Sequence, residues 1–293
     1  MLHLRREWTM KETKYYQVAG HRFCVSSESG DFALMQNYEP FGCDGGETVF
    51  ALSVESGGRP DYAEELRQAD EGQEIVSGHT ADGEALFEFS WFQQTAGWLV
   101  SSADYRQGRL ITTGWHTKMA IDNALMILYA LATADKSTVL FHAAVVSHEG
   151  KGYMFLGPSG TGKSTHARLW LRYIAGSELV NDDNPVVRIG EDGQAVVYGS
   201  PWSGKTPCYR HVSYPLGGIV NLSQAPHNKI RRLSGIEAYV ALVPSISGKR
   251  WDAAIADGLH QTENRLAMSV PLWHLECLPD EEAAMVCSLN IEH

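Results

Sequence analysis

The residues with the clearest chemical purpose are Gly157, Pro158, Ser159, Gly160, Thr161, Gly162, Lys163, Ser164 and Thr165. The first eight fit the pattern GxxxxGK[ST]. Glycines let the backbone take conformations that a Cβ forbids, so several N–H groups can converge on one phosphate. A helix that starts straight after them adds the positive end of its dipole. Lys163 is placed to reach the outer phosphates as a point charge, and the Ser164 hydroxyl to ligate Mg²⁺. The expected ligand is ATP with Mg²⁺.

A second cluster follows. Asn181-Asp182-Asp183-Asn184 comes after an apolar stretch, where adjacent carboxylates would pack poorly in a core. Beside a bound nucleotide, one carboxylate can hold Mg²⁺ and the other can accept a proton from an attacking hydroxyl or water. The competing reading is a solvated turn, since Asp and Asn are common turn residues. Upstream, His142 lies in the apolar run Val139 to Val146. The register of that strand decides whether its ring faces the phosphates or the core.

The surrounding elements are those such a site requires. Val139 to Val146 reads as a buried strand, and Tyr153 to Leu156 as a second strand running into the glycine loop. Ser164 to about Ile174 reads as a helix stopped by Gly176. A further strand ends at Leu179-Val180, and 185–189 with 195–198 form a hairpin around Glu191-Asp192-Gly193. Lys118 to Ala134 has the 3.6 period of a helix. Residues 15–110 read as strands and turns, with a hairpin over 18–25 and strands at 47–54, 85–92 and 97–101. Trp273 to Pro279 reads as a last strand before a helix capped by Asp280. Two domains are expected: a β-rich accessory domain over 1–115 and a nucleotide-binding domain over 116–293.

The chain has 293 residues, 44% of them hydrophobic and 20% charged, which allows a sizeable core and argues against disorder. Its 24 basic and 35 acidic residues leave a net charge of -11, which repels nucleic-acid backbones and anionic membranes. Neither is an expected partner. The five cysteines, Cys24, Cys43, Cys208, Cys277 and Cys287, form no CxxC pair, so neither a zinc knuckle nor a disulfide framework is supported. There is no signal-type apolar segment near Met1 and no apolar run long enough to span a bilayer, so a cytoplasmic location is expected.

Taken together, Leu140-Phe141-His142-Ala143-Ala144-Val145, the loop 157–165 and Val180-Asn181-Asp182-Asp183-Asn184 resemble the HPr kinase and phosphoenolpyruvate carboxykinase superfamily. Tyr198-Gly199-Ser200-Pro201-Trp202-Ser203-Gly204-Lys205 looks like the Pro-Trp-Ser-Gly segment of HPr-kinase-like proteins. The resemblance covers 138–290. It implies an α/β fold in which a carboxykinase-like, mixed-sheet P-loop domain follows a smaller β-rich one. It also implies a Mg²⁺-dependent phosphotransferase acting on a hydroxyl of a protein serine or a small molecule. Lys163 and Ser164 would bind phosphates and Mg²⁺, Asp183 would be the metal partner and Asp182 the general base, though those two roles can exchange. His142 matches the position where carboxykinases bind a transition metal, with Mn²⁺ as the alternative ion. Lys205, and after it Arg210, would steady the transferring phosphate. Relatives in the superfamily form oligomers. A decarboxylating phosphotransferase and a nucleotide-sensing module with little catalysis are the alternatives.

Overall fold

The computed structural model describes residues 11–204 and 206–291. It is a mixed α/β chain with two large mixed sheets, and it divides into two compact units. One unit is His21–Ala132 with the described residues up to Gln17, and the other is Val18–Gly20 with the chain from Thr133 onward.

The first unit carries strands Lys11–Val18 (β1), His21–Glu28 (β2), Gly42–Cys43 (β3), Phe50–Ser56 (β4), Ala63–Asp70 (β5), Gln73–His79 (β6), Ala85–Trp91 (β7), Gln94–Ser101 (β8) and Gln107–Thr112 (β9). Between them lies the short helix Ser29–Phe32 (α1), and after them Thr117–Ala132 (α2). The strands order as β3-β1-β2-β4-β9-β8-β7-β6-β5. β2 alternates buried and half-buried side chains, the period-2 pattern of a sheet with one covered face. The rings of Phe23 and Phe50 stack at 4.9 Å on adjacent parallel strands. α2 lies on β4, β8 and β9. A Cβ on Gly108 would come within 2.5 Å of Leu128 Cδ1, so that glycine sets the close approach of helix and strand. The expected boundary at 115/116 placed this helix with the second half, yet its apolar face is spent on the first sheet.

The second unit holds Thr138–Leu140 (β10), Ala143–His148 (β11), Lys151–Leu156 (β12), Lys163–Tyr173 (α3), Glu178–Asp183 (β13), Val186–Ile189 (β14), Ala195–Tyr198 (β15), Ser213–Gln224 (β16), Lys229–Leu233 (β17), Ile236–Leu242 (α4), Ala253–Ser269 (α5), Leu272–Cys277 (β18) and Glu281–Ile291 (α6). Its sheet orders as β10-β14-β15-β16-β12-β11-β13, with β18 also pairing β16 and β17. β12 is central, antiparallel to β11 and parallel to β16. Tyr153 to Leu156 are all buried. α3 buries Lys163, His166, Ala167 and Trp170, one stripe at helical spacing. Trp170 packs on Tyr153, Phe155 and Ala144, and emptying a site of that size typically costs about 3–5 kcal/mol.

Two expectations are corrected. The run 139–146 is two strands, because β10 pairs with β14 while β11 pairs with β12 and β13. His142 sits in the break between them, its N–H donating to the Ser245 carbonyl at 2.7 Å. Asn181, Asp182 and Asp183 are the end of strand β13 and not a free turn, since each pairs with a residue of β11. The hairpin of β14 and β15 forms as expected. The five cysteines are free thiols. No helix among the described residues is long and apolar enough to cross a membrane.

Candidate functional site

β12 ends at Leu156 and the chain turns at once into the glycine loop. Gly157 has φ 147°, Gly160 78° and Gly162 109°, all in the region that L side chains avoid. A Cβ on Gly157 would also lie 3.2 Å from the Leu222 carbonyl of β16. Lys163 opens α3 and is buried, its Nζ donating to the carbonyls of Gly157 (2.9 Å) and Pro158 (3.3 Å). The ammonium thus lies folded inside the loop. Pro158, Ser159 and Gly160 are exposed at the tip, while Ser164 and Thr165 are half-buried in the first helical turn. Gln224, at the end of β16, donates to the carbonyls of Gly160 (3.2 Å) and Thr161 (3.4 Å). That tie joins residues far apart in the chain, and no local sequence signal marks it.

The acidic end of β13 adjoins this loop. Asp182 pairs with Ala144, and cross-strand partners share a face of the sheet. Ala144 lies in the core beneath α3, so Asp182 projects toward the helix that Lys163 begins. Asp182 is only 4% exposed, and its Oδ1 is buried with no hydrogen-bond partner. Asp183 Oδ1 meets His142 Nδ1 at 3.3 Å, and its Oδ2 accepts from Asn184 Nδ2 at 2.8 Å. The Asp183 carboxyl is pushed above its ordinary value by burial, aided by the charge of Asp182. His142, Lys163 and the Asn184 amide pull the other way. His142, Asp182, Asp183 and Lys163 therefore share one electrostatic neighbourhood.

The Pro-Trp-Ser-Gly segment is fastened to the same strand end. Asn181 Nδ2 donates to Ser200 Oγ (3.1 Å) and to the Trp202 carbonyl (3.2 Å). Gly204 N–H donates to the Asp182 carbonyl at 2.8 Å, and Asp183 and Ser203 form a β-bridge. Trp202 is buried as an anchor of this loop. Lys205 lies outside the described residues. Arg210 is not brought to the acids. It donates to the Leu179 carbonyl and pairs with Glu178 at 2.7 Å, at the opposite end of β13. Cys208 is buried against the carbonyls of Leu179 and Val180, and burial raises its thiol, which removes it as a nucleophile.

Among the described residues no group of three or more His, Cys, Asp or Glu side chains is placed to hold a metal ion. The donor set is instead one or two carboxylates beside the glycine loop, a set that a Mg²⁺ ion carried on a nucleotide would accept. The partnerless Asp182 oxygen fits it, because a buried carboxylate without a donor is costly until a cation or proton arrives.

The HPr(Ser) kinase/phosphatase from Coxiella burnetii is similar at 11% identity, over 51% of this chain and 91% of that chain, with a TM-score of 0.30. A likeness at that level says nothing about chemistry. No curated protein matches. The sequence profile of the SynChlorMet cassette protein ScmC matches residues 113–275, a span that holds the glycine loop, both aspartates, His142 and the Trp202 segment. That match takes in more than half of the chain, and the protein belongs to the ScmC family.

Proposed function

We propose that this protein is an ATP- and Mg²⁺-dependent phosphotransferase of the HPr-kinase-like type, acting on a hydroxyl of a protein serine or a small molecule. The observation that carries the reading is the buried, partnerless oxygen of Asp182 beside a glycine loop whose lysine is already folded inward. The second unit would be the nucleotide-binding domain, and the β-rich first unit its accessory.

The backbone amides of 157–162 and the N-terminus of α3 would cradle the phosphates. Lys163 would exchange its two carbonyl acceptors for phosphate oxygens. Ser164 and Asp183 would hold Mg²⁺, which supplies charge neutralisation between the outer phosphates. Asp182 would accept the proton of the acceptor hydroxyl as its oxygen bonds to the terminal phosphorus and the bond to ADP breaks. His142, in contact with Asp183, would orient that carboxylate. In this reading the protein works inside the cell, where ATP is available.

The test uses purified full-length protein with ATP, Mg²⁺ and a panel of serine peptides and hydroxylated metabolites. Transfer that requires Lys163 and Asp182 supports the proposal. Nucleotide binding that is identical in Lys163→Ala and the parent protein would rule it out.

A further inference from the structure

One side chain from another strand holds the outer side of the glycine loop. Gln224 closes β16, and its Nε2 donates to the carbonyls of Gly160 (3.2 Å) and Thr161 (3.4 Å). Its mount is rigid. Gln224 pairs with Cys277 of β18, and the N–H of Ala225 donates to the Cys277 carbonyl at 3.1 Å. One residue earlier, Ser223 Oγ meets His274 Nε2 at 2.8 Å. The loop has no such stiffness of its own. Gly160 (φ 78°) and Gly162 (φ 109°) flank the two peptide groups that Gln224 touches, and a peptide beside a glycine turns over at little steric cost.

What Gln224 fixes is the direction of those peptide groups. A trans peptide points its C=O and the following N–H to opposite sides. With the Gly160 and Thr161 oxygens held on Gln224, the N–H groups of Thr161 and Gly162 point away from it. Thr161 N–H is used inside the loop, donating to the Pro158 carbonyl at 3.2 Å. Gly162 N–H meets no acceptor among the described residues. It stands beside the first N–H groups of α3, which the helix itself cannot satisfy. Turned over, the 161–162 peptide would present the Thr161 oxygen where that N–H now is, and an oxygen facing an anion repels it. Gln224 is exposed, so these two bonds, and not core packing, are what its side chain contributes.

We propose that Gln224 is a positioning residue for phosphate binding: its amide keeps the 160–162 peptides turned so that the Gly162 N–H faces the phosphates of the ligand. This role rests on the nucleotide reading of the loop given above. It involves no contact with the nucleoside and no share in the transfer step.

The test titrates Mg²⁺-ATP and Mg²⁺-tripolyphosphate calorimetrically into the full-length protein. Gln224→Met keeps the reach of the side chain and removes its donor without adding charge. It should weaken both ligands alike, by roughly tenfold, the worth of two neutral hydrogen bonds. The melting temperature without ligand should stay that of the parent. In nitrogen-15 spectra the Gly162 amide should shift when tripolyphosphate is added to the parent. In Gln224→Met the same resonance should broaden before any ligand is added, as the freed peptide exchanges between orientations. Unaltered affinity in Gln224→Met, a loss confined to ATP, an unmoved Gly162 amide in the parent, or a fall in melting temperature would each overturn the assignment. Binding that needs Lys163 but not Gln224 would overturn this role alone, whereas a parent protein that binds neither ligand would remove the nucleotide reading with it.

Discussion

His142 Nδ1 and Asp183 Oδ1 stand 3.3 Å apart although neither residue is the other's strand partner, because Asp183 pairs with Ala143. The break between β10 and β11 makes this contact available. A histidine inside a continuous strand would have been tied to the alternation of its neighbours.

Asp182 offers the sharpest separation of binding from chemistry. In Asp182→Asn, nucleotide affinity should stay within a few-fold while phosphoryl transfer falls by about 10²–10⁴, the usual worth of a general base. Its buried Oδ1 has no partner, so the neutral variant should also melt at a higher temperature than the parent without nucleotide. Single-turnover assays and differential scanning calorimetry check the two halves. A lower melting temperature would contradict the electrostatic account.

Lys163→Ala should cost at least about tenfold in ATP affinity, as expected for removal of a charged phosphate contact. The loop should remain folded, because its glycine conformations and the Gln224 tie do not depend on the Lys163 side chain. Isothermal titration and hydrogen exchange over 157–164 provide the measurement.

Gly204 and Asn181 hold the Trp202 segment against the acids. A Cβ at 204 would lie 3.0 Å from the Asp182 carbonyl and 3.2 Å from Asp183 Cβ. Gly204→Ala should therefore destabilise by about 1–3 kcal/mol and depress turnover together. Asn181→Ala removes the donor to Ser200 and Trp202 and should cost a similar amount, about 1–3 kcal/mol. Denaturant titration beside steady-state assays would show whether stability and turnover fall in step.

In the first unit, Glu88 predicts an acid-dependent loss of stability. Burial would raise its carboxyl, but hydrogen bonds from Trp98, Tyr62 and Thr95, helped by the charge of Arg59, outweigh that and hold it below 4.5. A depressed carboxyl contributes stability above its unfolded value, and that contribution is lost as pH falls through the folded one. Glu88→Gln should thus be destabilised by about 1–3 kcal/mol at pH 7. The gap should close below the folded value. Urea melts across that range test the sign.

The glycine loop was legible because its chemistry is local: glycines, lysine and the next helical turn are contiguous. Asp182 and Asp183 were legible as a pair, but their place in a strand was not, since pairing with β11 is long-range. β5 and β6 gave no signal. All eight residues of β5 are exposed, so no buried alternation marks it. β16 was not read from the sequence, since Pro215, Gly217 and Gly218 are residue types that weaken the pattern of a strand interior. A Cβ on Gly218 would come within 2.7 Å of Trp273, so that glycine serves strand packing and not a turn. Arg210 was assigned to the site by the resemblance, but its contacts with Leu179 and Glu178 hold it at the far end of β13.

β13 is the last strand in its row, and the backbone groups on its outer side meet a loop instead of another strand. A bare strand margin invites a foreign chain to add itself. Here the same few residues that occupy the margin carry the Trp202 anchor, so protection from unwanted pairing and alignment of the acids are bound into one short piece of polypeptide. Evolution cannot loosen one without disturbing the other.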